Sequence, residues 1–261
     1  MTAIIKEYIK LPGEFENYLA FALYNVFTPQ ECKELIEKTE EMGYIPALIN
    51  GQFYQPSRRK HNRCLWESTE QSNRIWTRVK DYVCSEIEND RVTGLNKQLK
   101  FLRYDPGEYF KPHFDGCYTG ENGEKSYFSL QLYLNEGFKG GSTTFISKIS
   151  GDRVEFVPKT GAVLIFQQDI LHEGSLLEEG RKYSCRTDIM CRIKHETEVM
   201  LGKENLKKIT REKEKPRPEV FHPQHNRSRG LYLAYKPSMF TYTYNENIPE
   251  FQKEKPDIVY S

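Results

Sequence analysis

The chain has 261 residues, of which 38% are hydrophobic and 13% aromatic, including 17 Tyr and 15 Phe, a content that excludes a long disordered protein. Lys and Arg number 38 against 37 Asp and Glu, a net charge of +1, so no global basic field exists to recruit nucleic acid or an anionic membrane. No apolar run approaches the roughly 18 residues of a spanning helix, so no membrane partner is expected.

The stretch MTAIIKEY carries only a short apolar run before Lys6 and Glu7, unlike a secretory signal. Six cysteines, at 32, 64, 84, 117, 185 and 191, include no CxxC pair. Free thiols in a reducing compartment are expected, the cytoplasm first and the nucleus as an alternative, although an even count keeps secretion formally open.

Thr28-Pro29-Gln30-Glu31 predicts a helix start: Thr28 caps, Pro29 suits the first helical position, and Glu31 closes a capping box. Cys32, Leu35, Ile36 and Met42 carry that helix. Ile75, Val79, Val83 and Ile87, with Trp76 beside them, predict a second helix from about Ser68 to Asn89. Between the two, residues 50–64 are polar and basic without a period and read as a long loop. Its Ser57-Arg58-Arg59-Lys60-His61-Asn62-Arg63 run is either a lid over a substrate channel, with Arg63 as the contributing residue, or a solvated surface; a nucleic-acid patch is disfavoured because aromatics are few here.

After Gly94 the texture changes. Strands are predicted at Gln98–Tyr104, Phe110–Phe114, Tyr127–Leu134, Ser142–Ile146, Val154–Val157, Ala162–Phe166 and Tyr183–Ile193, with turns such as Asp105-Pro106-Gly107 and Gly140-Gly141 between. The fold class is α+β, mainly β: two helices before an antiparallel sandwich or barrel. Trp66 and Trp76 read as packing residues, and Cys185 and Cys191 as buried thiols on one strand face. A charged helical run is expected over 196–213, solvated, docked on the barrel or mediating a dimer, so monomer and homodimer both stand. The aromatic stretch 216–261 packs along the core or holds a partner. The chain thus divides into an N-terminal helical support region with the lid loop (1–96), a β core (97–193) and a charged and aromatic tail (194–261).

Of six histidines, His113 matters most, because His113-Phe114-Asp115 in a strand presents both side chains to one face. His172 follows the apolar strand Ala162–Phe166 and can supply a third ligand. Two imidazoles and one carboxylate with open positions suit non-haem Fe(II). Alone, HxD is a weak pattern. His222 and His225 read as a surface turn. Strand alternation places Lys182, Ser184, Arg186 and Asp188 on one face and Arg181 on the other.

The segments RYDPGEYFKPHFDG, SLQLYLNEGFKGGSTTF, PKTGAVLIFQQDILHEG and GRKYSCRTDIM, in this order over about 97–192, resemble the Fe(II)- and 2-oxoglutarate-dependent dioxygenases, most of all their prolyl 4-hydroxylase branch. The resemblance implies a double-stranded β-helix, or jelly-roll, core. It implies His113, Asp115 and His172 as iron ligands. It implies Lys182 as the partner of the distal carboxylate of 2-oxoglutarate, Tyr133 as a hydrogen-bond donor to that carboxylate, and Tyr104 as a wall of the same pocket. Arg181 is the alternative anchor, since some relatives use arginine. Arg186 points toward co-substrate or substrate, or pairs with Asp188 or another acid. The implied reaction takes O2 as a second co-substrate, hydroxylates a C–H bond and releases succinate and CO2, with ascorbate as reductant.

A prolyl residue of an intracellular protein or peptide is the leading substrate. Another side chain, a small molecule or a nucleic-acid base would use the same chemistry. A catalytically silent binding module would lack a ligand or the cation, and here every one of those positions is filled. A metal hydrolase or isomerase on a cupin-like barrel would not need Lys182 and Tyr133.

Overall fold

The computed structural model describes residues 2–48, 54–87, 90–120, 123–193 and 259–260. Strands Ile5–Tyr8 (β1) and Ala20–Tyr24 (β2) lead into helix α1, Pro29–Met42. Ile45–Pro46 (β3), Arg59–Lys60 (β4) and Asn62–Glu67 (β5) precede helix α2, Thr69–Val79. Then come Glu86–Ile87 (β6), Asp90–Leu95 (β7), Gln98–Tyr104 (β8), Tyr109–Phe114 (β9), Glu124–Tyr133 (β10), Lys139–Gly140 (β11), Thr143–Ile146 (β12) and Arg153–Phe156 (β13). Val163–Gln167 (β14), His172–Gly174 (β15), Leu177–Glu179 (β16), Lys182–Ile193 (β17) and Val259–Tyr260 (β18) complete the order.

Two sheets form a jelly roll. The major sheet runs β1-β2-β14-β10-β17-β8-β5-β3, with β7 also against β17. The minor sheet runs β13-β12-β15-β9, and both β4 and β18 pair along β9. Strand alternation divides the core. On its outer face the major sheet sets Phe21, Leu23, Phe101, Leu130, Leu132, Ile165 and Ile189 in one cluster with Cys32 and Leu35 of α1 and Ile75 and Val79 of α2. Between the sheets a second cluster gathers Ala20, Ala22, Phe145, Phe156, Leu164, Phe166, Ile170 and Leu171.

Helix α1 starts as its sequence dictates. The Thr28 side chain accepts from the Glu31 amide at 3.2 Å, and the Glu31 carboxylate accepts from the Thr28 amide at 2.9 Å. The same carboxylate takes Arg78 and Arg74 of α2, at 2.5 and 2.7 Å, so the cap also joins the two helices. These contacts, led by Arg78, hold the Glu31 carboxyl well below its usual range.

Three expectations need correction. Helix α2 ends at Val79, not Asn89: a short 3-10 turn over Lys80–Tyr82 follows, Val83 is extended, and Glu86–Ile87 forms a hairpin with Asp90 and Arg91. The four-residue apolar spacing continues to Ile87, but the last members of the series are β-branched and reach the core from extended chain. The loop over 50–64 is strand at its end, because β4 pairs with β9 and β5 with β8. The N-terminal region is more than helical support, since β1, β2, β3 and β5 extend the major sheet. The helix expected over 196–213 lies outside the described residues, as do His222 and His225. Trp66 and Trp76 pack on the outer cluster, and Cys185 and Cys191 are buried and free, as expected.

Candidate active site

The site lies between the sheets, where β9 and β15 cross under β17 and β8. His172 and His113 are direct cross-strand partners on β15 and β9. Asp115 follows the end of β9, its amide donating to the Gln168 carbonyl at 3.0 Å. His113 Nε2 lies 3.7 Å from one Asp115 oxygen and His172 Nε2 lies 3.6 Å from the other. One ligand atom from each of the three falls within 4.8 Å of the others, and no other such cluster occurs among the described residues.

The donor set fits a divalent metal on three counts. His113 Nδ1 donates to the Lys111 carbonyl at 2.8 Å and His172 Nδ1 to the Ile170 carbonyl at 2.9 Å. A carbonyl can only accept, so each bond fixes the tautomer that leaves Nε2 free to ligate. Burial, and then the neighbouring His113, lower the His172 pKa to about 4, so it is neutral at pH 7. Burial alone would raise the Asp115 carboxyl, but the Arg186 guanidinium outweighs it and holds the group well below the usual carboxylate range. The set therefore offers two imidazole Nε2 positions, that of His172 neutral, and one anionic oxygen, the combination suited to non-haem Fe(II). Packing fixes the rings: Phe110 stacks on His113 with centroids 3.6 Å apart, and Phe166 meets His172 edge-on at 4.7 Å.

A cavity of about 330 Å³ opens beside this cluster. Lys182 is fully buried in its wall. Its Nζ donates to the Gly141 carbonyl at 2.6 Å and lies 5.1 Å from the Tyr104 ring centroid and 5.6 Å from that of Tyr133. No carboxylate stands within ion-pair distance of it among the described residues, and burial alone lowers its pKa to about 7. A buried ammonium without an anion is costly, so the position is built for an anion supplied from outside. Gly141 can approach because of its φ of 67°; a Cβ there would lie 2.9 Å from Leu177 Cδ1.

Arg181 sits outside this cavity. Its Nε donates to Asp105 at 2.5 Å on an exposed surface. Strand alternation on β17 separates the neighbours, with Lys182 in the cavity and Arg181 away from it. Arg186 is in the cavity and its contacts are acids: Nη2 lies 3.0 Å from Asp115 and 3.2 Å from Asp188, and Nε donates to Asp115 at 3.1 Å. The Ser129 hydroxyl adds a bond to Asp115 at 2.5 Å. Tyr104 lines the cavity. Tyr133 stands behind the lining, its hydroxyl paired at 2.7 Å with Thr143, which does line it. Arg63 lines the outer part.

Sequence reasoning did not single out Arg59, His61, Lys100, Gln131 or Thr143, which also line the cavity. His61 is buried, with its ring 4.5 Å from that of Tyr104. Burial, then Arg59 and His113, hold its pKa well below the usual value, so it is neutral. One signal was present. Residues 59, 61 and 63 alternate as one face of a strand would, inside a run that otherwise reads as polar loop.

Residues 99–187 match the model of the 2OG-Fe(II) oxygenase superfamily. No curated protein matches the chain by sequence. Among solved structures, a Pseudomonas putida prolyl-4-hydroxylase aligns with a TM-score of 0.51 at 15% identity, over 67% of this chain and 95% of that one. A prolyl hydroxylase from Trichoplax adhaerens, in complex with a hypoxia inducible factor peptide fragment, aligns with a TM-score of 0.52 at 14% identity, over 69% and 86%. The viral collagen prolyl hydroxylase of Paramecium Bursaria Chlorella virus-1, as its 2OG complex, aligns at 0.50 and 18% identity, over 69% and 100%. At these identities the likeness is one of fold.

Proposed function

We propose that this protein, whose residues 99–187 match the 2OG-Fe(II) oxygenase superfamily and whose fold is that of prolyl hydroxylases, hydroxylates a C–H bond of a peptide substrate, with release of succinate and CO2. One observation carries the reading: a buried Lys182, without a carboxylate partner among the described residues, shares a cavity with the His113, Asp115 and His172 cluster.

Each residue has a task. His113, Asp115 and His172 would hold Fe(II) at the wall of the cavity. When bound, the metal supplies the oxidising power of the reaction, drawn from O2 and the 2-oxo acid. Lys182 would take the distal carboxylate of 2-oxoglutarate, and the Tyr104 ring would bound it. Tyr133, behind the lining, would act through Thr143, the partner of its hydroxyl. Arg186 and Ser129 orient the Asp115 carboxylate. Phe145 and Phe166 keep water from the rear of His172. The substrate we propose is a prolyl residue of an intracellular protein, in keeping with the fold and with the peptide held by the Trichoplax enzyme. Ascorbate would keep the iron reduced.

The test is succinate formation from 2-oxoglutarate by the purified protein with Fe(II), ascorbate and air, compared with His113→Ala and Lys182→Ala. Proline-containing peptides run in parallel. Succinate that depends on both residues supports the oxygenase reading, and stimulation by the peptides supports the prolyl substrate. No succinate together with no 2-oxoglutarate binding would sink the reading.

A further inference from the structure

The outer wall of the cavity carries a second cationic position that the reaction as proposed does not use. Across the major sheet, β17, β8 and β5 lie side by side, and alternate residues of each face the cavity. Lys182 pairs with Tyr104, and on the next strand Arg63 pairs with Leu102. Two strand spacings separate the strand of Lys182 from that of Arg63, roughly 10 Å. Arg59 enters from β4, its guanidinium carbon 4.8 Å above the Phe110 ring and its Nη2 donating to the Leu48 carbonyl at 2.6 Å. That contact anchors Arg59 and leaves the rest of its fork facing the cavity.

Among the described residues the acids that line the cavity are Asp115, Asp188 and Glu173. Asp115 and Asp188 are taken by Arg186, with Lys100 3.9 Å from Asp188, and Glu173 is bonded to Arg153. No carboxylate is within ion-pair distance of Arg59 or Arg63 among the described residues. Three buried side-chain nitrogens in this short segment have no hydrogen-bond partner among the described residues: Arg59 Nε, His61 Nδ1 and Arg63 Nε. Burial also works against both guanidinium charges. Two half-buried arginines that line one cavity without a carboxylate among the described residues favour an acceptor supplied from outside. Guanidinium forks match the two oxygens of a carboxylate or phosphate.

We propose that Arg59 and Arg63 form a substrate subsite for an oxyanion, so that the favoured peptide carries an acidic side chain close to the residue that is oxidised. The inference rests on the oxygenase reading of the cavity and adds a specificity to it. The unpartnered His61 Nδ1 lines the same cavity beside the two arginines, suited to a polar group of the peptide backbone.

The experiment is an NMR titration of the full chain, 15N-labelled and loaded with Zn(II) and 2-oxoglutarate so that no turnover occurs. Three capped peptides are added, identical apart from glutamate, phosphoserine or glutamine next to a single proline. The glutamate peptide is expected to shift the Arg59 and Arg63 Nε–Hε signals saturably and to bind at least about tenfold tighter than the glutamine peptide. Arg59→Gln and Arg63→Gln should abolish that preference and leave 2-oxoglutarate affinity unchanged, while Arg63→Lys should keep part of it. Tighter binding of the phosphoserine peptide would make phosphate the source of the oxyanion. Equal binding of the glutamate and glutamine peptides, or no shift with any of the three, overturns the inference. Failure of the wild type to bind 2-oxoglutarate would overturn the oxygenase reading instead, and the arginine shifts would still decide this one.

Discussion

The inner face of the major sheet has two halves that are built alike and used differently. On β2 and β14 the inward residues are Ala20, Ala22, Leu164 and Phe166, closed over by Phe145, Ile170 and Leu171. On β10, β17, β8 and β5 the inward residues are Ser129, Gln131, Lys182, Arg186, Lys100, Tyr104 and Arg63, around a cavity. The same minor sheet covers both halves. The first half stabilises by burying apolar area, and the second holds buried charge at a cost that the outer, helix-backed cluster must offset. His172 stands at the boundary, with Phe166 on one side and Asp115 on the other.

The two halves differ most at the three ligands. His113→Ala is expected to reduce succinate formation to background and to abolish the rise in melting temperature that Fe(II) or Zn(II) produces, while the urea midpoint of the metal-free protein stays close to wild type. The converse change is Leu164→Ala in the dry half. It should cost about 2–5 kcal/mol in urea unfolding. Affinity of the folded protein for 2-oxoglutarate should be unaltered, and a matching loss of affinity would show that the halves are not separable.

Lys182→Met probes the cost of the charged half directly. The folded pKa of Lys182 is lowered from 10.5 to about 7, so the penalty is complete below pH 7 and disappears as pH rises toward the unfolded value. The variant should therefore be more stable than wild type at pH 6–7 without co-substrate. Its advantage should shrink by about 1.4 kcal/mol per pH unit above 7, as urea unfolding at several pH values would report. It should also fail to bind 2-oxoglutarate. The smallest effect is expected at the neighbouring cation. Arg181→Ala removes an exposed ion pair with Asp105 and should change stability by no more than about 1 kcal/mol. Co-substrate affinity, read by calorimetry, should not move; a large loss would make Arg181 the anchor in place of Lys182.

Much of this was legible one strand at a time. Gln98–Tyr104 is strand over its expected span, and Val154–Val157 and Ala162–Phe166 are displaced by a single residue. The α1 cap could be read because its chemistry is complete within four residues. Asp90–Leu95 was missed, since Gly94 and three charged or polar residues give it little strand character, and the helical spacing before it ran on to Ile87. It becomes a strand by pairing with β17, a long-range contact.

The sequence by itself determined the local facts: periods, caps, turns, the HxD spacing, and which residues of β17 share a face. These depend on neighbours within a few positions, where backbone geometry is decisive. Only the tertiary structure decided what that face meets. An alternating strand such as Lys182–Ile193 reads the same whether its polar side faces water or a covered cavity. The pairing of His113 with His172, the pairing of Arg186 with Asp115, the exclusion of Arg181, and the turning of Arg59, His61 and Arg63 inward all follow from the minor sheet folding over the major one. Burial is a property of the assembled layers, and it is burial that turns a polar strand face into a site.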